Sequence, residues 1–334
     1  MRLDNPTTLD LPEIKREVAL GNAVTVQYSG PCYTIALLES LDKLCGELDA
    51  NLCIRFYGHY FAPFDCANLK YLPSVKHLEL NCMDAVENID ALKQLQCLVR
   101  LNIGIFELNT PDFLSWPNLI SIADLSLPAT RKNNIDLKYL GGYSNLVRLF
   151  LGGHVRHLDT IGTLYQLTDL SLNLPSAASL TFLNRLPNLR RLRFILGGRA
   201  NLDEIVTSPL ERLEIVRVKG FSSLNNLHRF RHLKSLLIED QAQLKALDLG
   251  TDVSNLTEVR LVNCKNLETV SGLSHLSKLN SLRVFGTSID FAAMVQQKLP
   301  KSLKIFAFYT NNKRKNATIK EQLTQLGYSD GLYF

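Results

Sequence analysis

The chain has 334 residues, 46% of them hydrophobic, and its 37 basic and 32 acidic side chains leave a formal charge of +5. That balance excludes the strong basic excess of a dedicated nucleic-acid binder. No stretch approaches the 18 or so consecutive apolar residues of a membrane-crossing helix, and seven scattered cysteines without a C-x-x-C pair exclude both a disulfide framework and a familiar zinc motif.

The opening MRLDNPTTLDLPEIKREVALGN carries acidic and proline residues where a signal peptide needs an uninterrupted apolar run. Together with the odd cysteine count, this leads to an expectation of a reduced, cytoplasmic setting. Ala23 to Tyr28 alternates as a strand, Tyr33 to Leu48 has helical spacing through Ile35, Leu38, Leu41 and Leu44, and Leu52 to Tyr57 reads as a second strand. None of this shares the period that follows.

From Val75 onward one phrase, apolar-x-x-apolar-x-apolar, recurs eleven times. Its anchors are Val75, Leu98, Ile122, Leu146, Leu167, Leu189, Leu210, Leu233, Leu256, Leu279 and Leu303, separated by 21 to 24 residues. A phrase of this kind at that interval is the leucine-rich-repeat signature, in which each unit buries its apolar face only against its neighbours. Within the phrase the alternation is that of a strand with one face buried. Between phrases the apolar spacing becomes three, as in Leu158, Ile161, Leu164 and Leu167, or Leu267, Val270, Leu273 and Leu276. An α-helix would rotate such a series by roughly 60° per step, whereas a 3₁₀ turn keeps it in line.

The expected fold is therefore an α/β solenoid: a leucine-rich-repeat arc with a parallel concave sheet and short 3₁₀ turns on the convex side. Residues 1–74 are expected to form a strand–helix–strand cap, 75–310 an array of about eleven repeats, and 311–334 a C-terminal cap. In the last segment Ile319 to Leu326 reads as a short helix, and Lys313, Arg314 and Lys315 as a solvated turn before it.

Strand phrases joined by spacing-of-three segments in units of about 22 residues resemble the internalin-type subclass of leucine-rich repeats over residues 75–310. In that subclass an asparagine after the strand builds a hydrogen-bonded ladder inside the turn. Here the matching positions hold His154, Pro175, Gly197, Val218 and Thr287, and Cys264 is the one familiar replacement. The resemblance thus implies irregular loops along that edge. The pairs Gly152–Gly153 and Gly197–Gly198 are expected to supply positive φ there.

Strand alternation sends the residues between the apolar anchors to the opposite, solvent-facing side. Arginine dominates the later repeats at those positions: Arg148, Arg191, Arg193, Arg212, Arg260 and Arg283, with Arg217 just after a strand. Glu214 and the aromatic residues Phe150, Phe285 and Tyr309 share the same face. Arginine and aromatic side chains with a charged surround are what a protein-binding surface requires, and these eleven residues form the candidate partner-binding set. A sheet face whose arginines are simply paired to neighbouring carboxylates is the competing reading.

Chemistry is otherwise sparse. His154, His157 and Asp159 are the nearest approach to a metal cluster, on a turn without enforced geometry, and no H-E-x-x-H, G-x-S-x-G or Walker loop occurs. No catalytic, cofactor or metal residues are assigned. The expected function is a non-enzymatic module binding a protein such as a toxin or enzyme, an inhibitor in the manner of a bacterial toxin immunity protein. The alternatives are a secreted pathogen effector or cytosolic adaptor, and an anion- or nucleic-acid-binding surface, against which the interspersed Asp124, Asp169, Glu214 and Glu258 argue.

Overall fold

All eleven phrases become strands, each beginning two residues after its anchor. The computed structural model describes residues 1–250 and 253–331, so Thr251 and Asp252 of the repeat segment and Leu332, Tyr333 and Phe334 of the C-terminal segment lie outside the described residues. Residues 1–167 and 168–334 form two compact units.

In the first unit seven strands run parallel in the order Arg2–Asp4, Val24–Tyr28, Leu52–Gly58, His77–Met83, Arg100–Ile105, Asp124–Leu127 and Arg148–Gly152. The helix expected over 33–48 spans Ile35–Glu47 and starts at Thr34, whose side chain accepts the Leu37 amide. Helix Leu11–Ala19 was not anticipated. Its signals are short: Asp10 caps the Glu13 amide, Pro12 occupies the first turn, and Ile14 and Val18, one helical turn apart, supply the buried face. Stacked rings of Tyr28, Phe56 and Phe64, edged by Tyr33, fill the interior beside these helices.

The second unit repeats the arrangement with strands Asp169–Asn173, Arg191–Ile195, Arg212–Val216, Ser235–Glu239, Glu258–Val262, Ser281–Phe285 and Ile305–Tyr309, again all parallel. Parallel pairing puts like positions of successive repeats in register although repeat length varies. Leu192, Leu213, Leu236, Val259, Leu282 and Phe306 stand in one buried row, and Phe194, Ile215, Ile238, Leu261, Val284 and Phe308 in the next.

Several return segments hold short 3₁₀ helices, among them Leu158–Thr163 in the first unit and Thr181–Arg185, Leu227–Arg229 and Leu273–His275 in the second. Asparagines stitch them: Asn226 Nδ2 donates to the Leu202 and Ile205 carbonyls at 2.6 and 3.1 Å, and Asn118 does the same for Leu92 and Leu95 at 2.9 and 3.0 Å. Within the spacing-of-three series one stretch is extended rather than turned. Thr269–Ser271 is a strand paired with Ala246–Asp248, because Val270 can point inward from an extended segment once Gly272, at φ +83°, bends the chain into the following turn.

At strand ends the ladder expected to be missing is partly rebuilt from other side chains. Gln241 Nε2 donates to the Glu239 and Ile215 carbonyls at 2.7 and 3.3 Å, Cys264 Sγ to those of Val262 and Ile238 at 3.5 and 3.7 Å. In the first unit the buried His154 bonds the Pro128 carbonyl at 3.0 Å.

Near the C-terminal end the reading needs correction. Helix Lys313–Gln325 begins earlier than expected, so Lys313, Arg314 and Lys315 form its first turn rather than a preceding loop. Asn312 starts it by accepting the amides of both Arg314 and Lys315. A further helix, Phe291–Gln296, begins where Asp290 accepts the Ala292 amide. Among the described residues no helix is long and apolar enough to cross a membrane.

Candidate protein-binding face

The solvent-facing side of the second unit's sheet carries three parallel rows, the first two with one residue from every strand. The first runs Asp169, Arg191, Arg212, Ser235, Glu258, Ser281, Ile305; the second Ser171, Arg193, Glu214, Leu237, Arg260, Arg283, Ala307. Five arginines therefore face three carboxylates within two rows, and geometry pairs them closely. Asp169 receives Arg191 at 3.1 Å and Arg193 at 3.2 Å. Glu258 lies 3.2 Å from Arg283, 3.7 Å from Arg260, and accepts the Ser235 hydroxyl at 3.1 Å. Arg212 meets Glu214 at 4.0 Å.

These pairs hold the guanidinium groups in place without neutralising them. The side chains of Arg191, Arg193, Arg212 and Arg260 remain 35 to 40% exposed, so each pair alone contributes little to stability, on the order of 1 kcal/mol or less. Arg193 Nε and Arg260 Nε make no hydrogen bond among the described residues.

The third row, Ile195, Val216, Glu239, Val262, Phe285 and Tyr309, is apolar except at Glu239, and every member is partly exposed. The Phe285 and Tyr309 rings lie 5.3 Å apart, and the Tyr309 hydroxyl donates to Asp330 at 3.1 Å, which fixes the ring. Burial pushes the tyrosine hydroxyl above its ordinary pKa, and the Asp330 carboxylate adds to this. Leu237, between Glu214 and Arg260 in the second row, is buried although strand alternation turns it outward. Arg217 is not on the sheet face. It follows the strand with φ +53°, exposed, and pairs with Asp240 at 2.8 Å.

Of the candidate set, Arg191, Arg193, Arg212, Glu214, Arg260, Arg283, Phe285 and Tyr309 thus share one face of the second unit, with Arg217 at its edge. Arg148 and Phe150 belong to the first unit, where Arg148 is paired to Asp124 at 2.8 Å and Phe150 is half-buried opposite Ser126.

Residues immediately preceding the strands complete a feature that the column reading passes over. A cleft of about 450 Å³ runs along the sheet beside Arg190, Arg191, Arg212 and Lys234 on the basic side and Asp169, Glu211 and Glu258 on the acidic side. Its signal in the sequence is the polar residue before each strand, Thr168, Arg190, Glu211, Lys234 and Thr257. The hydrogen bond from Lys234, 2.7 Å away, holds Glu211 below the usual carboxylate range.

The turn histidines do not converge. His154 is spent on Pro128, while His157 Nδ1 lies 2.6 Å from Asp136, a buried carboxylate that also meets Arg156 at 3.2 Å and Lys138 at 3.5 Å. Burial works against charge on Asp136, but the bond from His157, the Lys138 amide and the Arg156 charge outweigh it, so its pKa is lowered. A depressed folded-state pKa contributes stability above the unfolded value of about 3.9 and loses it as pH falls through the folded value. Asp136→Asn should therefore lower Tm at pH 7, and the deficit should shrink below about pH 4 in circular-dichroism melts; a deficit unchanged at low pH would contradict this account.

No family model matches the chain, and no curated protein matches it. Among solved structures it is similar to an internalin, InlF of Listeria monocytogenes, at 15% identity over 92% of this chain and 85% of that one, with a TM-score of 0.53. It is also similar to a chain of the Toll–Spatzle complex of Drosophila, at 14% identity over 93% of this chain and 50% of that one, with a TM-score of 0.50; it spans about half the latter's length. The fold is that of a leucine-rich-repeat solenoid with internalins among its structural neighbours, a parallel sheet and short 3₁₀ turns.

Proposed function

We propose that this chain is a non-enzymatic protein-binding module and that the solvent-facing sheet of residues 168–334 is its contact surface. The observation that carries the reading is the juxtaposition of an arginine–carboxylate lattice with the apolar stripe Ile195, Val216, Val262, Phe285 and Tyr309. Arginine and aromatic anchors beside exposed apolar residues are the composition of interface centres. A phosphate backbone is a poorer fit, because Asp169, Glu214, Glu239 and Glu258 repel it. The Toll–Spatzle likeness is a parallel of fold only.

Seven strands at ~4.8 Å spacing and five residues at ~3.3 Å rise give a face of about 550 Å², less than the roughly 800 Å² each partner contributes to a standard interface. A stable complex must then reach the strand-end turns as well, where Leu196 and Arg217 are exposed. The finer reading is an inhibitor that covers an enzyme's or toxin's active surface, as an immunity protein does; a lattice able to pair with charges of both signs supports it. Seven free cysteines support a reducing, cytoplasmic setting. Segments 1–74 and 311–334 serve as caps in this reading, the latter because helix Lys313–Gln325 covers the strand Ile305–Tyr309 with Ile319 and Leu323.

The test is a quantitative binding assay with the partner recovered by cross-linking to the intact protein. Arg193→Ala and Phe285→Ala should each weaken Kd by about 30-fold or more, the hot-spot threshold of about 2 kcal/mol. Arg231→Ala, on the return-segment side, should leave Kd within about twofold. Loss of binding in the last variant alone would remove the sheet face from the account. Export of the native protein in a secretion assay would favour an effector over an inhibitor acting inside the cell.

A further inference from the structure

In the first unit, strands Leu52–Gly58 and His77–Met83 lie side by side, with Ile54 opposite Leu78 and Arg55 opposite Glu79. The same register sets Cys53 against His77, and strand alternation brings Glu79 to the same face. Cys53 and His77 are 24 positions apart, so no sequence motif announces them. The Cys53 sulfur, an imidazole nitrogen of His77 and a Glu79 oxygen all lie within 4.8 Å of one another.

We infer that Cys53, His77 and Glu79 form a binding site for a transition-metal dication, zinc being the ion that this donor set selects. One thiolate, one imidazole and one carboxylate are borderline-soft ligands, and two anionic donors balance the charge of the ion. The donors are oriented for the task. His77 Nδ1 lies 3.2 Å from the Ala50 carbonyl and Nε2 3.6 Å from Glu79 Oε1, so the tautomer with its proton on Nδ1 bonds that carbonyl and leaves Nε2 to take the ion. The other carboxylate oxygen, Oε2, accepts the Asn81 amide at 2.8 Å and lies 3.5 Å from Arg55, so the two carboxylate oxygens have separate duties. Such outer contacts are what fixes ligands around a metal.

Zinc–ligand bonds of about 2.0–2.3 Å need donors roughly 3.3–3.7 Å apart in a tetrahedron, so closure of the longest separation by about 1 Å, within side-chain torsion, completes three corners. The fourth is left for water. Cys53 is buried, and a metal takes its sulfur as the thiolate, displacing the thiol proton. Binding exchanges that proton for the ion: the S–H bond breaks, the S–metal bond forms, and one proton leaves to solvent. Arg55, and Arg100 opposite His77, favour the thiolate and oppose a free dication; the two protein anions bound to the ion offset that repulsion.

The full chain, stripped with a chelator and kept reduced, is titrated with Co²⁺ while the near-ultraviolet thiolate-to-cobalt absorption is followed. One equivalent should develop the band and Zn²⁺ should abolish it. Cys53→Ser should remove the band, whereas replacing the three exposed cysteines, Cys32, Cys82 and Cys97, together should preserve it. Glu79→Gln, close in shape and checked by circular dichroism for an intact fold, should weaken Zn²⁺ binding by at least about tenfold and abolish any Zn²⁺-dependent rise in Tm. Absence of the band in the wild type, its survival in Cys53→Ser, or its loss in the triple variant would each overturn the assignment.

Discussion

Gly197→Ala should lower stability by about 2–5 kcal/mol, a large loss for a single added methyl. Gly197 sits at φ +64° directly after Leu196, itself at φ +62°, so the chain makes two successive left-handed steps as it leaves the strand Arg191–Ile195. A Cβ built there would lie 2.4 Å from the Leu174 carbonyl oxygen and 2.9 Å from the Leu174 nitrogen. Both obstacles are backbone, which cannot swing aside as a side chain does. Two costs therefore combine, the left-handed conformation at ~1–2 kcal/mol and overpacking at ~1–3 kcal/mol. Gly220 separates them: its φ is +84°, but the nearest atom to an added Cβ is 3.9 Å away. Gly220→Ala should cost only the conformational part, ~1–2 kcal/mol. Urea unfolding of the two variants measures the difference, and equal losses would show that the approach to Leu174 is not restrictive.

Leu213→Ala makes the opposite change, deleting atoms from the buried row of the second unit. Leu213 is fully buried between Leu192 and Leu236 of the adjacent strands. Neighbours tied into their own strands can fill the space only in part, so truncation should cost about 2–5 kcal/mol. Because every repeat rests on the next, the loss is shared by both interfaces of that repeat. Leu213 points away from the arginine face, however, so partner affinity measured well below the melting transition should change by less than about threefold. A Kd weakened as strongly as in Arg193→Ala would mean that core and face are not separable.

Much of this architecture was legible because the repeat states it eleven times. The anchors marked where each strand would fall, and the spacing of three named the turns, since in-line apolar residues fit a three-residue helix. Less was legible where one short signal carried an element. Helix Leu11–Ala19 depends on Asp10, Pro12 and two apolar residues, and the early start of helix Lys313–Gln325 on the single side chain of Asn312. The Thr269–Ser271 strand escaped because spacing-of-three does not distinguish a turn from an extended residue followed by a bend.

The candidate face was legible as a list of columns but not as a chemistry. Sequence alternation identified which side chains point outward, yet only the register of Asp169 and Glu258 against their neighbours showed that one carboxylate serves two arginines. Leu237 is a related case, buried on the outward face, since long charged side chains can cover a residue that strand geometry alone would leave bare. Gln241, buried and bonded to two carbonyls, was missed because a longer amide replaces the asparagine that the resemblance led one to seek.

The strict alternation along these strands also bears on how such a molecule can change over generations. Positions that knit the repeats together and positions that meet the outside are interleaved but distinct, so Arg191, Arg193 or Phe285 can be exchanged while Leu192 and Val284 stay fixed. Selection can then change the exposed chemistry with little penalty to folding. The exceptions on this face are Ser171, Ser235, Leu237, Ser281 and Ala307, which look outward and are nevertheless buried; at those sites a new specificity and an intact scaffold compete for the same side chain, and drift should be slowest there.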